Sequence, residues 1–164
     1  MILVLDGYNV VHALRDFEKH LDQSLKAARD RLILACRDLA GKRGDIEKIL
    51  IVFDGSSEYS FYPPEQFPGV EIIYTETGED ADDRIIVLLE SLRQRTVKVV
   101  SNDNYVSNHA RAYGADALSA KEFYAFARKI RGGKPEKETS ARGDLPGDKA
   151  REITEEYKRY LGLE

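Results

Sequence analysis

The sequence predicts an α/β fold in which a mainly parallel sheet is covered by helices on both faces. Short, continuous apolar runs of strand length recur along the chain, as expected for strands that are buried on both faces. Segments with apolar residues at helical spacing separate these runs. This alternation is typical of parallel strands joined by helices, and 164 residues suffice for one such domain.

The predicted strands cover residues 1–5, 49–53, 70–74 and 97–100, with a small edge strand near residues 115–118. The predicted helices cover residues 22–40, 80–93, 105–113 and 120–129. A loop rich in aromatic residues and proline spans residues 55–69. We expect one domain over residues 1–131, a glycine-rich flexible linker over 132–147, and a mostly polar helix over 148–164.

The composition indicates an ordinary globular protein without export or membrane signals. No apolar run approaches the roughly 18 residues of a membrane helix, and the first run stops at Asp6, so we expect a cytoplasmic location. The single cysteine, Cys36, cannot form an internal disulfide and is predicted to be a small apolar residue of a helix. A net charge of −4 argues against tight, non-specific binding of nucleic acid.

Aspartates follow three of the predicted strands. Asp6 follows the first apolar run, Asp54 the second, and Asp103 the fourth after a Ser-Asn pair. The carboxyl ends of parallel strands share one edge of the sheet, where α/β proteins bind ligands. A single aspartate at such a turn is explained well enough as a helix N-cap. Three of them at strand ends favour a shared site.

The helix predicted over residues 80–93 adds a fourth aspartate, which its helical phase selects. Apolar residues at 3.6-residue spacing define the buried stripe: Ala81, Ile85, Leu88, Leu89 and Leu92. Asp82 flanks that stripe, whereas Asp80 and Asp83 belong to the wetter face. We therefore predict that Asp82 leans toward the site and that Asp80 and Asp83 interact with the helix dipole.

A cluster of four carboxylates indicates a cation site. Like charges raise one another's pKa, and hard divalent cations relieve that repulsion. An all-oxygen set suits Mg²⁺ or Mn²⁺, and one or two such ions can activate water and stabilise the leaving oxygen of a phosphodiester. Such a hydrolase needs no histidine, cysteine or serine nucleophile, and His12, His20 and His109 are predicted to be structural or exposed.

Four short motifs occur in order along the chain. They are Leu5-Asp6-Gly7-Tyr8-Asn9-Val10, Val52-Phe53-Asp54, Ala81-Asp82-Asp83-Arg84-Ile85 and Ser101-Asn102-Asp103. Together they resemble the YacP-like NYN family of PIN-like ribonucleases. The resemblance implies a PIN-like, Rossmannoid three-layer fold and metal-dependent endonucleolytic cleavage of RNA. It also implies that Asp6, Asp82 and Asp103 are metal ligands, that Asp54 is a further acid, and that Asn9 orients them.

Residues beside these motifs are predicted to contact the RNA. They are Tyr8, Arg84, Ser101, Asn102 and Asn104. Aromatic residues of the loop over 55–69 either stack on bases or cover the sheet edge, and the sequence leaves both options open. The ribosome or another ribonucleoprotein is the expected docking partner, with the basic segment of residues 128–137 and the final helix as contacts.

Two other functions are compatible with parts of the pattern. A receiver-like phosphotransfer domain also gathers aspartates at strand ends, although only Lys121 represents its usual lysine. A nuclease fold without activity would serve as an RNA- or ribosome-binding module. Metal-dependent cleavage of a short, unstructured RNA distinguishes the enzyme from both.

Overall fold

The computed structural model describes residues 1–55 and 65–128, and for Glu65 and Gln66 only the backbone. The predicted linker over 132–147, the predicted helix over 148–164 and most of the aromatic loop lie outside the described residues. In the described part, one sheet separates two layers of helices. The predicted three-layer α/β fold is confirmed. None of the described helices is long and apolar enough to cross a membrane.

Six strands form the sheet. They are β1 (Ile2–Asp6), β2 (Lys48–Phe53), β3 (Glu65–Phe67), β4 (Val70–Tyr74), β5 (Val97–Val100) and β6 (Asp116–Leu118). Their spatial order is β3-β4-β2-β1-β5-β6. Five strands are parallel, and only β3 runs antiparallel, against β4 at one edge. The chain adds β2 and β4 on one side of β1 and later adds β5 and β6 on the other. A crevice therefore opens at the carboxyl end of β1, where the strand order reverses.

Helices precede or connect the strands. They are α1 (Gly7–Ala13), α2 (Arg15–Glu18), α3 (Leu25–Lys42), α4 (Ala81–Ser91), α5 (Asn104–Ala112) and α6 (Ala120–Arg128), with a 3-10 turn at Lys19–Asp22. The helix predicted from residue 22 begins instead at Leu25. Ser24 sets this start, because its hydroxyl accepts a hydrogen bond from the Ala27 N–H at 2.9 Å and so caps the first turn.

Alternate residues of each strand bury opposite faces of the sheet. In β1, Leu3 and Leu5 pack with the core formed by α1, α3 and α6, while Ile2 and Val4 pack with α4 and α5. Cys36 lies fully buried in the first of these cores, and burial raises the pKa of its thiol to about 12. The prediction that Cys36 is an inert apolar residue is therefore confirmed.

Three elements were not predicted from the sequence. The helix α1 begins directly after Asp6, within a segment whose Gly, Asn and valine residues have low helix propensity. Buried Val10 and Val11 hold it in place through tertiary packing instead. The short α2 and the three-residue β3 are too brief to show a period, and β3 lies inside the segment expected to be a loop.

Candidate functional site at the carboxyl edge of the sheet

Three of the four predicted aspartates lie at the ends of neighbouring strands in the middle of the sheet. Asp54 follows β2, Asp6 ends β1, and Asp103 lies three residues beyond the end of β5. These strands are immediate neighbours in the order β2-β1-β5. The parallel register therefore brings residues that are far apart in the chain to one edge, at the point where the strand order reverses.

Asp6 is the most enclosed of the four aspartates. The residue is only 7% exposed, and its Oδ2 accepts a hydrogen bond from the Ser101 hydroxyl at 3.2 Å. Burial raises the pKa of Asp6 to about 7, and the charges of Asp82 and Asp54 add to the rise. The Ser101 hydroxyl and the Asn9 backbone N–H act in the opposite direction. A negative charge on Asp6 is thus costly unless a cation is near.

Asp54 connects the second strand to the helix that carries Asp82. Its Oδ1 accepts a hydrogen bond from the Ala81 N–H, the first of α4, at 2.7 Å. The turn after Asp54 is held by buried Thr75, whose hydroxyl accepts from the Gly55 N–H at 2.9 Å. Burial raises the pKa of Asp54, and Asp80 adds to the rise against the Ala81 hydrogen bond. The role of Thr75 had no signal in the sequence.

Asp82 lies in the first turn of α4, on the side of the carboxylate cluster. Partial burial raises its pKa, and the charges of Asp103, Asp80 and Asp54 raise it further. Ala81, Ile85 and Leu89 are the buried residues of α4, as the helical phase predicted. Asp80 caps the helix through its contact with the Asp83 N–H, at 2.8 Å, so its predicted role at the helix terminus is borne out by the contact.

Asp103 has two structural contacts that fix its backbone and its carboxylate. Its Oδ1 accepts from the N–H groups of Tyr105 and Val106, at 2.7 and 3.2 Å, and thereby caps α5. Its own N–H donates to the Ser101 hydroxyl oxygen at 3.0 Å. Because the same hydroxyl donates to Asp6, one serine bridges the two aspartates. The N-cap role and a place in the cluster coexist at Asp103.

Asn9 fixes the loop that carries Ser101 and Asp103. Its side-chain oxygen accepts from the Asn102 N–H at 2.8 Å, and the Asn102 side-chain oxygen accepts from the Ala120 N–H, also at 2.8 Å. The first turn of α1, the loop after β5 and the start of α6 are joined in this way. The predicted orienting role of Asn9 is consistent with this placement.

The remaining predicted substrate contacts are distributed unevenly. Tyr8 is partly buried, with its ring centroid 4.9 Å from that of Phe53. Phe53 also lies so close to Gly7 that any side chain there would collide with the ring. Arg84 forms an ion pair with Glu79 at 3.1 Å, whereas Asn104 is exposed at the start of α5. Their contact with RNA stays a prediction.

Comparison with known proteins identifies the family. The profile of the YacP-like NYN domain matches residues 3–161, nearly the whole chain. The chain belongs to this family. A protein of Bacillus subtilis (strain 168) described as uncharacterized protein YacP is 30% identical over 124 residues, which cover 74% of this chain and 71% of the relative. Membership in the NYN family is consistent with a nuclease-type, RNA-related function.

Solved structures of a family member share the fold. A crystal structure of Rae1 (YacP) from Bacillus subtilis is 25% identical and has a TM-score of 0.63, and the match covers 99% of this chain and 88% of that one. A mutant of the same protein gives a TM-score of 0.63 at 26% identity, over 79% of this chain and 76% of that one. The YacP-like architecture thus extends to this chain.

The carboxylates of this NYN domain fit a divalent cation in their chemistry. All are hard oxygen donors of the kind that Mg²⁺ and Mn²⁺ prefer. Asp6, Asp54 and Asp82 have raised pKa values, to which the other charges of the cluster contribute. Over residues 1–55 and 65–128, however, no three His, Cys, Asp or Glu side chains are gathered closely enough to hold a metal ion. The aspartates thus fit a divalent cation by their oxygen atoms and their charge, although they do not form a preassembled coordination sphere.

Proposed function

We propose that this NYN domain is a metal-dependent endoribonuclease that hydrolyses phosphodiester bonds in RNA. The observation that supports it is the concentration of uncompensated negative charge at one edge of the sheet. Burial raises the pKa values of Asp6, Asp54 and Asp82, and neighbouring acids raise them further. None of the ion pairs in the described part of the chain includes a member of the cluster.

A divalent cation bound by Asp6, Asp82, Asp103 and Asp54 would supply positive charge for activating water and for stabilising the leaving oxygen of the phosphodiester. The protein itself provides the framework. The Ser101 hydroxyl donates to the Asp6 carboxylate and accepts from the Asp103 backbone N–H, and Asn9 fixes the loop that carries Ser101 and Asp103. The N-termini of α4 and α5 both point to this edge, and their dipoles favour a phosphate group there.

The direct test is the incubation of labelled, unstructured RNA with the full chain, with and without Mg²⁺ or Mn²⁺. We expect internal cleavage that requires the added ion and that disappears in Asp6→Asn. Metal-independent cleavage, or cleavage by Asp6→Asn at the wild-type rate, would contradict the proposal.

A second function, RNA binding without cleavage, is favoured by one observation. The described carboxylates do not form a finished three-ligand site, as expected if the fold has kept its shape and lost its ion. Binding of RNA with no product at any concentration of Mg²⁺ or Mn²⁺ would support this alternative. The receiver-like alternative has no support, because the chain belongs to the NYN family and Lys121 lies exposed on α6.

We also propose that the enzyme acts in the cytoplasm and is brought to its RNA by a larger partner such as the ribosome. A chain with a net charge of −4 attracts RNA only weakly by itself. The proposed contacts are residues 128–137, of which only Arg128 belongs to the described residues, and the predicted final helix, which lies outside them. Deletion of residues 132–164 should weaken cosedimentation with ribosomes and cleavage in cells while metal binding persists. Full activity of the shortened chain in cells would contradict this.

A further inference from the structure

An aromatic pair, one member of which is exposed, lies beside the carboxylate cluster. Tyr105, in the first turn of α5, is 51% exposed. In the described part of the chain, it is one of three large hydrophobic residues that are more than half exposed. The other two, Leu34 and Val87, lie in the middle of α3 and α4. Tyr105 is therefore the exposed aromatic residue that the fold places at the site itself.

The backbone of Tyr105 is attached directly to a proposed metal ligand. Its N–H donates to Asp103 Oδ1 at 2.7 Å, so that the ring begins one hydrogen bond away from the carboxylate. A phosphate bound at the cluster would have its neighbouring nucleotide within reach of this ring. The position is set by the cap of α5 and not by a loose loop.

The Tyr105 ring contacts the ring of His109 and is otherwise partly exposed to solvent. His109, one helical turn later, has its ring centroid 4.3 Å from that of Tyr105, with 51° between the planes. The Nδ1–H of His109 donates to the Tyr105 carbonyl oxygen at 2.8 Å, which fixes the imidazole in place. Tyrosine has few rotatable bonds, so a supported ring loses little conformational entropy when a ligand stacks on it.

We propose that Tyr105, supported by His109, is a stacking platform for the unpaired nucleobase beside the scissile phosphate. The proposal rests on the proposed ribonuclease function and adds a substrate class, because only an unpaired base offers its face to an aromatic ring. Stacking on aromatic side chains tolerates many sequences, since every base has a π-face. The platform thus selects for single-stranded RNA and not for a particular base.

The test measures binding and cleavage of short single-stranded oligoribonucleotides by the full chain at low ionic strength. Stacking of a base is removed in Tyr105→Ala, which should weaken binding by about tenfold or more. Tyr105→Phe keeps the ring and should bind like wild type, and His109→Ala should fall between them. Leu34→Ala, which truncates an equally exposed apolar side chain on α3, is the matched control and should bind like wild type.

A series of oligonucleotides, each with one abasic position, locates the contact on the RNA. For the wild-type chain, one abasic position next to the cleavage site should weaken binding as much as Tyr105→Ala does. On that oligonucleotide, the Tyr105→Ala substitution should have no further effect. The abasic series with the wild-type chain needs no variant, so a stacked base next to the cleavage site is detected even if Tyr105→Ala fails to fold.

The outcomes separate the stacking proposal from the proposed enzyme. Cleavage of RNA with unchanged binding and rates in Tyr105→Ala would overturn the platform and leave the ribonuclease standing. RNA binding that depends on Tyr105, without cleavage at any metal concentration, would support the platform and overturn the enzyme. No detectable binding of single-stranded RNA by the wild-type chain, or equal binding of duplex RNA, would overturn the platform.

Discussion

The pKa values of acidic residues are shifted in opposite directions at the two ends of the parallel sheet. At the amino end, Asp45, Glu47 and Asp116 accept hydrogen bonds from Arg43, Arg95 and Lys98, and each of these bonds lowers the pKa of its acid. At the carboxyl end, burial and neighbouring acids raise the pKa values of Asp6, Asp54 and Asp82. At the amino end, basic side chains of the same chain neutralise these acids. At the carboxyl end, none of the described ion pairs includes an acid of the cluster.

This contrast shows that acid content alone does not define a site. The amino end also carries carboxylates, yet each of the three acids named there has a basic partner. The informative feature is the absence of such partners from the ion pairs described around the cluster. The following four experiments neutralise acids of the cluster or break an ion pair at the amino end to test that difference.

The largest expected effect is on catalysis. Asp82→Asn should reduce metal-dependent RNA cleavage by at least about 100-fold, because a charged ligand contributes several kcal/mol of transition-state stabilisation through the bound ion. The loss should occur without loss of thermal stability in metal-free buffer, since repulsion within the cluster is relieved. Asp45→Asn, at the amino end, is the control and should cleave normally. A large fall in melting temperature for Asp82→Asn would show that the acid is a structural group instead.

The second effect is on the pH dependence of stability. The pKa of Asp6 is about 3.8 in the unfolded chain, and burial raises it to about 7 in the folded chain. The folded state therefore binds more protons between these values, and stability is lost as the pH rises from about 4 to about 7. The difference between these two pKa values corresponds to at most about 4 kcal/mol.

Asp6→Asn removes this contribution. In metal-free buffer, chemical unfolding should find the variant more stable than wild type at about pH 8, and the difference should vanish at about pH 4. The acids at the amino end, with lowered pKa values, change stability in the opposite direction and in a more acidic range. A difference that is independent of pH would mean that the Asp6 charge is not destabilising.

The third effect is on stabilisation by metal. A divalent ion that binds only the folded state at about a hundred times its Kd should stabilise the wild type by about 2.7 kcal/mol. The melting temperature should therefore rise with Mn²⁺ or Mg²⁺, and it should rise less in Asp103→Asn than in wild type. Asp116→Asn should respond like wild type. Equal shifts in all three proteins would place the ion elsewhere.

The smallest effect is expected at the amino end. Arg95→Gln breaks the pair with Glu47, in which both side chains are about half exposed. Pairs of this kind contribute little to stability and are screened by salt. The melting temperature should fall slightly at low ionic strength and not at all at high ionic strength, with cleavage unchanged. A marked loss of cleavage would mean that the two ends are coupled through the sheet.

The layout of the sheet could be predicted from the sequence because continuous apolar runs are an unambiguous sign of buried parallel strands. β4 was placed at its observed bounds, and the phase of α4 was read from Ala81, Ile85 and Leu89. The position of α1 could not be predicted, because its residues are poor helix formers and the helix depends on burying Val10 and Val11. Local sequence carries no record of such tertiary packing.

The placement of the aspartates at one edge of the sheet was predictable from the sequence, and the hydrogen bonds around them were not. Strand ends are enough to bring Asp6, Asp54 and Asp103 together, since topology alone does so. The bridge through the Ser101 hydroxyl depends on a contact between residues 95 positions apart, and side-chain hydrogen bonds of that kind leave no periodic pattern. The same applies to Thr75, whose hydroxyl fixes the turn after Asp54.

The double amide link from Asn9 through Asn102 to Ala120 has a consequence for biosynthesis. The link joins the first helix of the chain to the sixth, across 93 residues and then a further 18. During translation, the amino-terminal portion emerges first, but its partner at Ala120 is made much later. A growing chain that has reached α5 contains every aspartate of the cluster, but not yet the Ala120 N–H that fixes their loop. The loop is therefore fixed only when the start of α6 has left the exit tunnel, so that the carboxylate edge is completed after the described strands of the sheet have been made.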